Sequence, residues 1–315
     1  MKLFLGVDGG QSSTTALVGD ETGRVIATGR AGPCNHAGAA EGRARFLSAI
    51  GGCLDAAGHR DSHFEAACLG FSGGPDDKVA LTREMVRAEK YLITNDAVIA
   101  LAGATGGEPG VIVIAGTGSI ALGRNAAGKT ARAGGWGYAF GDEGGGFDLV
   151  RQALRAALRF EEGWGPKTGL RDALLQATGA RDADDLLHRF YTDEYPRARV
   201  ASLAPLVEET ARSGDAVASD LLQGAAQTLA LLAGAVRAQL FEASEPVRVS
   251  YAGGVFGSAI VRERFRMLVE LGDANRVAAP AFGPAAGALI EAYRIAGLSC
   301  AIQGAPQQKH ETITL

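Results

Sequence analysis

The sequence lacks the features that mark several large classes of protein. Its four cysteines are scattered without a CxxC pair, so nothing indicates a zinc or iron–sulfur site, and such usage fits a reducing cytoplasm. The net charge of −4 and the absence of a basic stripe argue against a nucleic-acid surface. No apolar run reaches membrane-spanning length, and no Walker A sequence GxxxxGK[ST] occurs, which excludes a P-loop enzyme.

A secretory leader is not expected either. The N-terminus enters a strand directly, without the charged, apolar and small-residue regions of a signal peptide, so we expect a cytoplasmic protein. The chain has 315 residues, of which 47% are hydrophobic and 21% are charged. This length and composition provide ample core material and allow two domains of ordinary size.

Residues 5–18, LGVDGGQSSTTALV, form the pattern around which the chain is organised, a strand, a tight polar turn and a second strand. The turn contains the small and polar residues Gly9, Gly10, Gln11, Ser12, Ser13 and Thr14. Glycines leave no Cβ to keep an anion away, and amides and hydroxyls can donate to a phosphate. Asp8 ends the first strand, where a carboxylate beside a phosphate calls for a hydrated Mg²⁺. An ordinary hairpin with a polar tip is the alternative.

A similar unit begins in the middle of the chain. A strand at 110–115 runs into Gly116, Thr117, Gly118 and Ser119, and a further strand follows at 120–123. This repetition predicts two related α/β halves that face each other across a cleft. We expect an N-terminal domain at 1–108, a C-terminal domain at 109–283, a helix at 284–297 that packs back on the first domain, and a loose polar tail at 298–315.

Periodicity and turn residues predict the other elements. Strands are expected at 24–30, 64–71, 91–94, 129–133, 246–251 and 276–278. Helices are expected at 39–57, 77–88, 97–104, 258–271 and 284–296, and through most of 147–239 with breaks near 163–166, 179–181, 195–196 and 213–214.

Five segments in this order resemble the actin-like ATPase and sugar-kinase superfamily. They are GVDGGQSST at 6–14, Asn-Asp-Ala at 95–97, IAGTGS at 114–119, GGWGYAFGDEGGG at 134–146 and YAGGVFGS at 251–258. Within the superfamily, residues 2–297 resemble the N-acetylglucosamine kinase family, which is grouped with the activator ATPases of 2-hydroxyacyl-CoA dehydratases. The resemblance implies two actin-like (ribonuclease H-like) α/β domains, each a mixed sheet flanked by helices, with a cleft between them.

The resemblance also implies roles for individual residues. The two turns would bind the phosphates of ATP, Asp8 would hold Mg²⁺ through water, and Asp96 matches the catalytic base. The residues that match the adenosine motif are Gly253, Gly254 and Ser258. The residues that match sugar contacts are Asn35, Ser72, Asp96, Thr117, Gly135, Trp136 and Asp142. The sequence departs from the family pattern at Gln11 and Ser12, where Gly-Thr is commoner, and at Ile120, where some members carry Asn.

Three of these residues have structural interpretations as well. Asp96 lies between a strand end and a helix start, so it serves either as the base that accepts the alcohol proton or as a helix N-cap. Asp142 contacts either a sugar hydroxyl or a hydrated Mg²⁺, or else belongs to a solvated loop or caps the helix that follows. Trp136 is either a wall for the sugar or part of the core.

The activity implied is ATP-dependent phosphorylation of the 6-hydroxyl of N-acetylglucosamine. Glucosamine or a related amino sugar is an alternative acceptor, because one acetyl group is a modest difference for a site to resolve. An ATPase that activates a partner protein is the alternative of another class, and the scattered cysteines count against it. The small-molecule acceptor is the expected partner, without nucleic acid or membrane, and a homodimer is an assembly that the resemblance allows.

Overall fold

The computed structural model describes residues 1–10, 13–34, 40–272 and 274–306. The chain forms two compact units. The first consists of Met1–Pro109 and the segment that begins at Ala279, and the second is Gly110–Ala278.

The first unit is built on a five-stranded mixed sheet with the strand order β3-β2-β1-β4-β5. Its strands are β1 (Leu3–Gly9), β2 (Thr14–Asp20), β3 (Val25–Ala31), β4 (His63–Phe71) and β5 (Arg87–Asn95). β2 runs antiparallel to its neighbours β1 and β3, whereas β1, β4 and β5 run parallel. The carboxyl ends of these parallel strands therefore meet at one edge of the sheet, where Asp8, Ser72 and Asp96 are found.

Helices cover both faces of this sheet. They are α1 (Ala40–Ala56), α2 (Val79–Met85), α3 (Asp96–Thr105) and α11 (Pro284–Ala296). Alternation along β1 places Leu5 in the core cluster that includes α1, and Phe4 in the cluster formed with α3 and α11. Gly6 lies directly under α11, where a methyl group on it would overlap the backbone of Leu289.

The second unit repeats the same strand arrangement, because its order is β10-β9-β6-β7-β8. Its strands are β6 (Gly110–Ala115), β7 (Ser119–Arg124), β8 (Thr130–Gly134), β9 (Val247–Ala252) and β10 (Asn275–Ala278). In both units the first three strands pair in antiparallel fashion in chain order, and the last two strands add in parallel on the other side of the first strand. The predicted fold class, two mixed α/β units of related topology, is confirmed.

Helices make up most of the rest of the second unit. They are α4 (Gly146–Glu161), α5 (Leu170–Thr178), α6 (Ala183–Phe190), α7 (Arg197–Ala201), α8 (Ala204–Arg212), α9 (Ala216–Leu240) and α10 (Ala259–Glu270), with a short 3₁₀ helix at Gly254–Gly257. In the described part of the chain, α9 alone has the length and apolar composition of a membrane span. Its Leu222, Leu229 and Val236 are buried in the core of the second unit.

Two predicted elements need correction. The helix expected at 77–88 ends at Met85, and the strand expected at 91–94 begins at Arg87. Because β5 is an edge strand, its polar first half pairs with β4 without having to bury both faces. The tail expected to be loose is not loose at Gln303, whose amide and carbonyl bond Gly23 and Val25 at 3.0 and 2.9 Å.

Candidate functional site

The turn between β1 and β2 is the first of the two predicted phosphate-binding turns. Gly10 donates its amide to the carbonyl of Ser13 at 3.0 Å, which closes the turn. Thr14 is fully buried, and its hydroxyl donates to the carbonyl of Gly32 at 2.8 Å. The Thr14 side chain therefore stabilises the base of the turn. Gln11 and Ser12, at the tip, lie outside the described residues.

The end of β1, which leads into this turn, packs closely against Phe71 and Cys34. A methyl group on Gly9 would overlap the ring of Phe71 and come within 2.5 Å of Cys34 Sγ. The carbonyl of Gly9 accepts the amide of Ser72 at 3.2 Å, so the ends of β1 and β4 are joined. Only a residue without a side chain fits at Gly9, which fixes the path of the backbone into the turn.

Two carboxylates meet near this edge of the first sheet. Asp8 lies on the same face of β1 as Phe4, toward α3, and Asp96 is the first residue of α3. Burial, and next to it the charge of Asp96, raise the pKa of Asp8 to about 7. Having both carboxylates ionised is therefore unfavourable unless a cation lies beside them or one of them holds a proton.

Asp96 does not cap its helix. The N-cap of α3 is Asn95, whose side chain accepts the amide of Val98 at 3.1 Å. The carboxylate of Asp96 instead accepts the hydroxyl of Ser72, with 2.9 Å between Ser72 Oγ and Asp96 Oδ2. The N-cap interpretation is thus wrong, and Asp96 is left half-buried with one oxygen oriented by Ser72.

The turn between β6 and β7 presents free donors. The amide of Gly116 bonds the carbonyl of Gly118 at 3.0 Å. Within the residues described, the amides of Thr117 and Gly118 have no acceptor. Two adjacent unpaired amides at a turn form a concave patch of positive potential that suits an anionic oxygen.

The same turn is held from behind by the start of α4. The carbonyl of Gly116 accepts the amide of Gly146 at 2.7 Å, and that of Thr117 accepts the amide of Phe147 at 3.0 Å. The Ser119 hydroxyl donates to the carbonyl of Glu143 at 2.6 Å, so it supports the glycine-rich loop. These bonds engage the carbonyls of Gly116 and Thr117 within the protein and hold the turn against the start of α4.

Asp142 lies beside this second turn. Its backbone has a φ of 63°, and among described residues it is the only non-glycine with positive φ. A methyl group on Gly118 would overlap the Asp142 carboxylate, and Arg197 donates to that carboxylate at 3.5 Å. Asp142 is 6% exposed and does not cap α4, whose N-cap is Gly145. A buried acid in a strained backbone is a common mark of a functional position.

Trp136 is on the surface of the glycine-rich loop, with 66% of its area exposed. The guanidinium of Arg132 lies 4.4 Å from the centre of its ring. The core interpretation of Trp136 is therefore wrong, and its ring has a face available for a ligand. Gly135 precedes it with a φ of 72°, packed against Ile120.

The late glycine turn also lies against the β6–β7 turn. Gly253 has a φ of 99°, and a methyl group on it would overlap the carbonyl of Ala115. Gly254 begins the 3₁₀ helix and is exposed. Ser258 caps α10 by accepting the amide of Val261 at 3.2 Å, and its hydroxyl also bonds Glu208. The Gly253–Gly254 turn therefore adjoins the β6–β7 turn, whereas the Ser258 side chain is engaged within the protein.

The structure adds residues that the sequence did not single out. Arg132 and Arg197 lie over aromatic rings of the glycine-rich loop, the latter 4.9 Å from the ring centre of Tyr138. Glu208 reaches Ser258 from α8. No sequence signal marks these three, because each is brought to the site by tertiary packing. Asn35, a predicted sugar contact, lies outside the described residues.

The carboxylates of the first unit fit a magnesium ion in type. They provide oxygen ligands, which Mg²⁺ prefers. Burial and the charge of Asp96 raise the pKa of Asp8 by disfavouring its ionised form, and a bound cation would offset that cost by taking the place of the proton. No three His, Cys, Asp or Glu side chains gather into a metal site among the described residues. Mg²⁺ commonly keeps several waters and takes phosphate oxygens, so one or two carboxylates suffice.

Comparison with known proteins places these sites in context. The sequence profile described as the BadF/BadG/BcrA/BcrD ATPase family matches residues 5–292. An N-acetylmuramic acid/N-acetylglucosamine kinase of Clostridium acetobutylicum is 34% identical over 86% of this chain and 91% of its own. An N-acetyl-D-glucosamine kinase of Dictyostelium discoideum is 30% identical over 80% of this chain and 85% of its own.

Solved structures show the same fold. A candidate N-acetylglucosamine kinase from Chromobacterium violaceum is 29% identical and superposes with a TM-score of 0.73, covering 92% of this chain and 98% of that one. A ROK family glucokinase from Streptomyces griseus, solved with glucose and AMPPNP, is 22% identical with a TM-score of 0.53, covering 92% and 98% of the two chains.

Proposed function

The chain belongs to the BadF/BadG/BcrA/BcrD ATPase family, and from that premise we propose that it is an ATP-dependent amino-sugar kinase. The finer proposal is transfer of the γ-phosphoryl group of ATP to the 6-hydroxyl of N-acetylglucosamine. The observation that carries it is the Asp96 carboxylate, which is released from helix capping and oriented by Ser72 at 2.9 Å.

Asp96 is proposed as the base. A carboxylate within hydrogen-bond reach of an alcohol can take its proton as the new O–P bond forms, which contributes typically about 10²- to 10⁴-fold in rate. Ser72 fixes one carboxylate oxygen, Oδ2, and leaves the other to accept from the sugar hydroxyl. The acceptor oxygen is thereby held in a single orientation, which is the main requirement of phosphoryl transfer.

The phosphates are proposed to bind at the two turns. In the second unit the amides of Thr117 and Gly118 are available as neutral donors, and in the first unit the turn that includes Gly10 and Ser13 plays the corresponding part. Backbone amides supply here what a lysine supplies in P-loop enzymes. Asp8 would hold Mg²⁺ through water, and that ion, when bound, neutralises charge on the phosphate oxygens.

The acceptor is proposed to lie against the glycine-rich loop. The exposed face of Trp136 suits the apolar face of a sugar ring or an acetyl group, and Gly135 and Asp142 supply neighbouring polar contacts. Glucosamine is the alternative acceptor, since it differs only by the acetyl group.

N-acetylmuramic acid is a further candidate acceptor, because Arg197 suits its additional carboxylate. The Arg197 side chain is 42% exposed, and its 3.5 Å bond to Asp142 leaves other guanidinium donors for a ligand. We expect N-acetylmuramic acid to be phosphorylated. Arg197→Lys should lower kcat/KM for it about tenfold more than for N-acetylglucosamine, because lysine lacks the bidentate geometry. Equal losses for the two sugars, in a coupled kinase assay, would remove Arg197 from this role.

The decisive experiment is an ADP-release assay with ATP, Mg²⁺ and a panel of N-acetylglucosamine, glucosamine, N-acetylmuramic acid and glucose. We expect fast release only with an amino sugar, and phosphorus–proton correlation in the product spectrum should place the phosphate on C6. ADP release that is the same with and without every sugar would overturn the proposal.

A partner-activating ATPase is disfavoured by the environment of the cysteines. Such activators share an iron–sulfur cluster that thiolates hold between subunits. Here Cys34, Cys53 and Cys68 are buried in the first unit, and burial raises the pKa of each thiol, that of Cys53 to about 11. Buried protonated thiols are poor ligands for a cluster shared with another chain.

Location and assembly complete the proposal. We propose that the protein acts in the cytoplasm on a small-molecule acceptor, without nucleic acid or membrane, and that its assembly is a homodimer. Light scattering of the purified protein tests the assembly, and a monomer at assay concentrations would contradict it.

A further inference from the structure

Lys78 is a buried cation that neither the sequence motifs nor the proposed reaction use. Its side chain is 1% exposed, and its ammonium Nζ donates to the carbonyl of Gly74 at 2.8 Å and to Asp77 Oδ1 at 2.7 Å. The ring centre of Phe71 lies 5.9 Å from the same nitrogen. Lysines are seldom fully buried, and when they are, a specific partner holds them.

The partners of Lys78 belong to one loop, residues 72–77, which we call the Ser72 loop. At its start the amide of Ser72 bonds Gly9, and the hydroxyl of Ser72 bonds Asp96. Gly73 and Gly74 follow with φ of 79° and 88°, so this part of the loop has little conformational restraint of its own. The bonds from Lys78 to Gly74 and Asp77 restrain the loop at its other end.

The balance of energies indicates what this arrangement does. Removing an ammonium from water is costly, and a buried ion pair commonly returns no more free energy than this desolvation takes. Apolar side chains of similar size often stabilise a fold as well as a buried ion pair does. What Lys78 adds is directional, since one of its bonds holds the backbone carbonyl of Gly74 and the other holds the Asp77 side chain of the same glycine-containing loop.

We propose that Lys78 is a positioning residue for the base. It restrains the Ser72 loop so that the Ser72 hydroxyl stays on Asp96 Oδ2 and the other carboxylate oxygen stays aimed at the acceptor alcohol. Lys78 itself touches neither substrate. This inference rests on the proposed kinase function, in which Asp96 is the base.

The test compares Lys78→Met with the matched control Lys90→Met, which replaces an exposed lysine of β5. Each variant is checked by circular dichroism and thermal melting, and kcat and KM for N-acetylglucosamine are measured. Misplacing a reacting group by about 1 Å costs on the order of 10²-fold in rate. We expect Lys78→Met to lower kcat about 10- to 100-fold with KM for the sugar changed less than about threefold, and Lys90→Met to match the wild type.

A double-mutant cycle with Ser72→Ala separates positioning from general destabilisation. If Lys78 acts through Ser72, Lys78→Met should lower kcat by less than about twofold in the Ser72→Ala background. Independent losses that multiply would overturn the inference, as would an unchanged kcat in a folded Lys78→Met. Should Lys78→Met fail to fold, Asp77→Asn changes a side chain that is 38% exposed. A few-fold loss of kcat in Asp77→Asn that is absent when the same substitution is made in the Ser72→Ala background supports the inference. An unchanged kcat in Asp77→Asn overturns it.

A crystal structure of the same variants tests the inference without any turnover. We expect the 2.9 Å contact between Ser72 Oγ and Asp96 Oδ2 to be broken in Lys78→Met or lengthened in Asp77→Asn. An intact contact would overturn the positioning role whatever the activity. Absence of sugar-dependent ADP release in the wild type would remove the proposed function alone, so the two failures are distinguishable.

Discussion

Replacing Asp8 with asparagine tests the electrostatics of the first unit most directly. Burial and the charge of Asp96 raise the pKa of Asp8 to about 7 from an ordinary value of 3.8. Asparagine has nearly the same shape and carries no charge at any pH. The substitution therefore removes the titration while leaving the packing of β1 nearly unchanged.

The magnitude follows from the shift in pKa. Each pKa unit corresponds to about 1.4 kcal/mol, so ionising Asp8 in the folded protein costs up to about 4 kcal/mol. Below about pH 4 both the folded and the unfolded carboxyl are protonated. Between about pH 4 and 7 only the folded state holds the proton, so stability falls as pH rises and levels off above about 7. Asp8→Asn should then be more stable than the wild type at pH 8, with the difference closing toward pH 4.

Thermal melting of the ligand-free proteins from pH 4 to pH 8 measures this effect. A difference of about 2 to 4 kcal/mol corresponds to a rise in Tm of roughly 5 to 10 °C at pH 8 for a domain of this size. Asp96→Asn serves as an intermediate control. It removes the charge of Asp96, the smaller of the two causes of the raised pKa of Asp8, so the fall in stability with rising pH should have its midpoint at a lower pH than in the wild type. Adding Mg²⁺ with a non-hydrolysable ATP analogue should stabilise the wild type at pH 8 and leave Asp8→Asn nearly unchanged. Parallel pH dependences for the wild type and Asp8→Asn would refute the buried-carboxylate argument.

Three further predictions concern the catalytic base, the late glycine turn and the glycine-rich loop. Asp96→Asn should lower kcat by about 10²- to 10⁴-fold with sugar affinity within a few-fold of the wild type, and steady-state kinetics with a near-normal kcat would remove it as the base. Gly253→Ala should destabilise the protein by about 1–3 kcal/mol in melting experiments, because its positive φ and its close backbone neighbour exclude a methyl group, whereas Gly257→Ala, which points into open space, should have little effect. N-acetylglucosamine should change the tryptophan fluorescence, and Trp136→Phe should abolish that change while Trp164→Phe preserves it; the opposite pattern would place the sugar elsewhere.

The fold was largely accessible from the sequence because its signals are local. The hairpins end in dense glycine turns, and the breaks between the helices of the second unit coincide with glycine and proline residues such as Gly179 and Pro196. The error at β5 has a physical cause, since the polar residues at 87–90 have no alternating pattern and the strand is specified by pairing with β4. Pairing partners distant in sequence leave no local signal.

The candidate site was less accessible. Glycine turns and acidic residues could be found by motif, but the role of each side chain depends on its neighbours. Asp96 and Asn95 are both good N-cap residues, and only the structure shows that Asn95 caps the helix and Ser72 takes Asp96. Lys78 and Arg197 belong to no motif, because their importance arises from burial and from contacts made by folding.

The return of α11 to the first sheet has a consequence for synthesis of the protein. Phe4, Ile99 and Leu289 share one core cluster, and Gly6 admits the α11 backbone at close range. While the ribosome is still translating the second unit, α3 is the only one of the two helices available to cover that side of the first sheet, and the apolar surface that α11 later buries stays exposed. A nascent chain in this state is a natural client for chaperones, and a premature stop codon ahead of residue 284 would leave that apolar surface permanently exposed although every strand of the first sheet had been made.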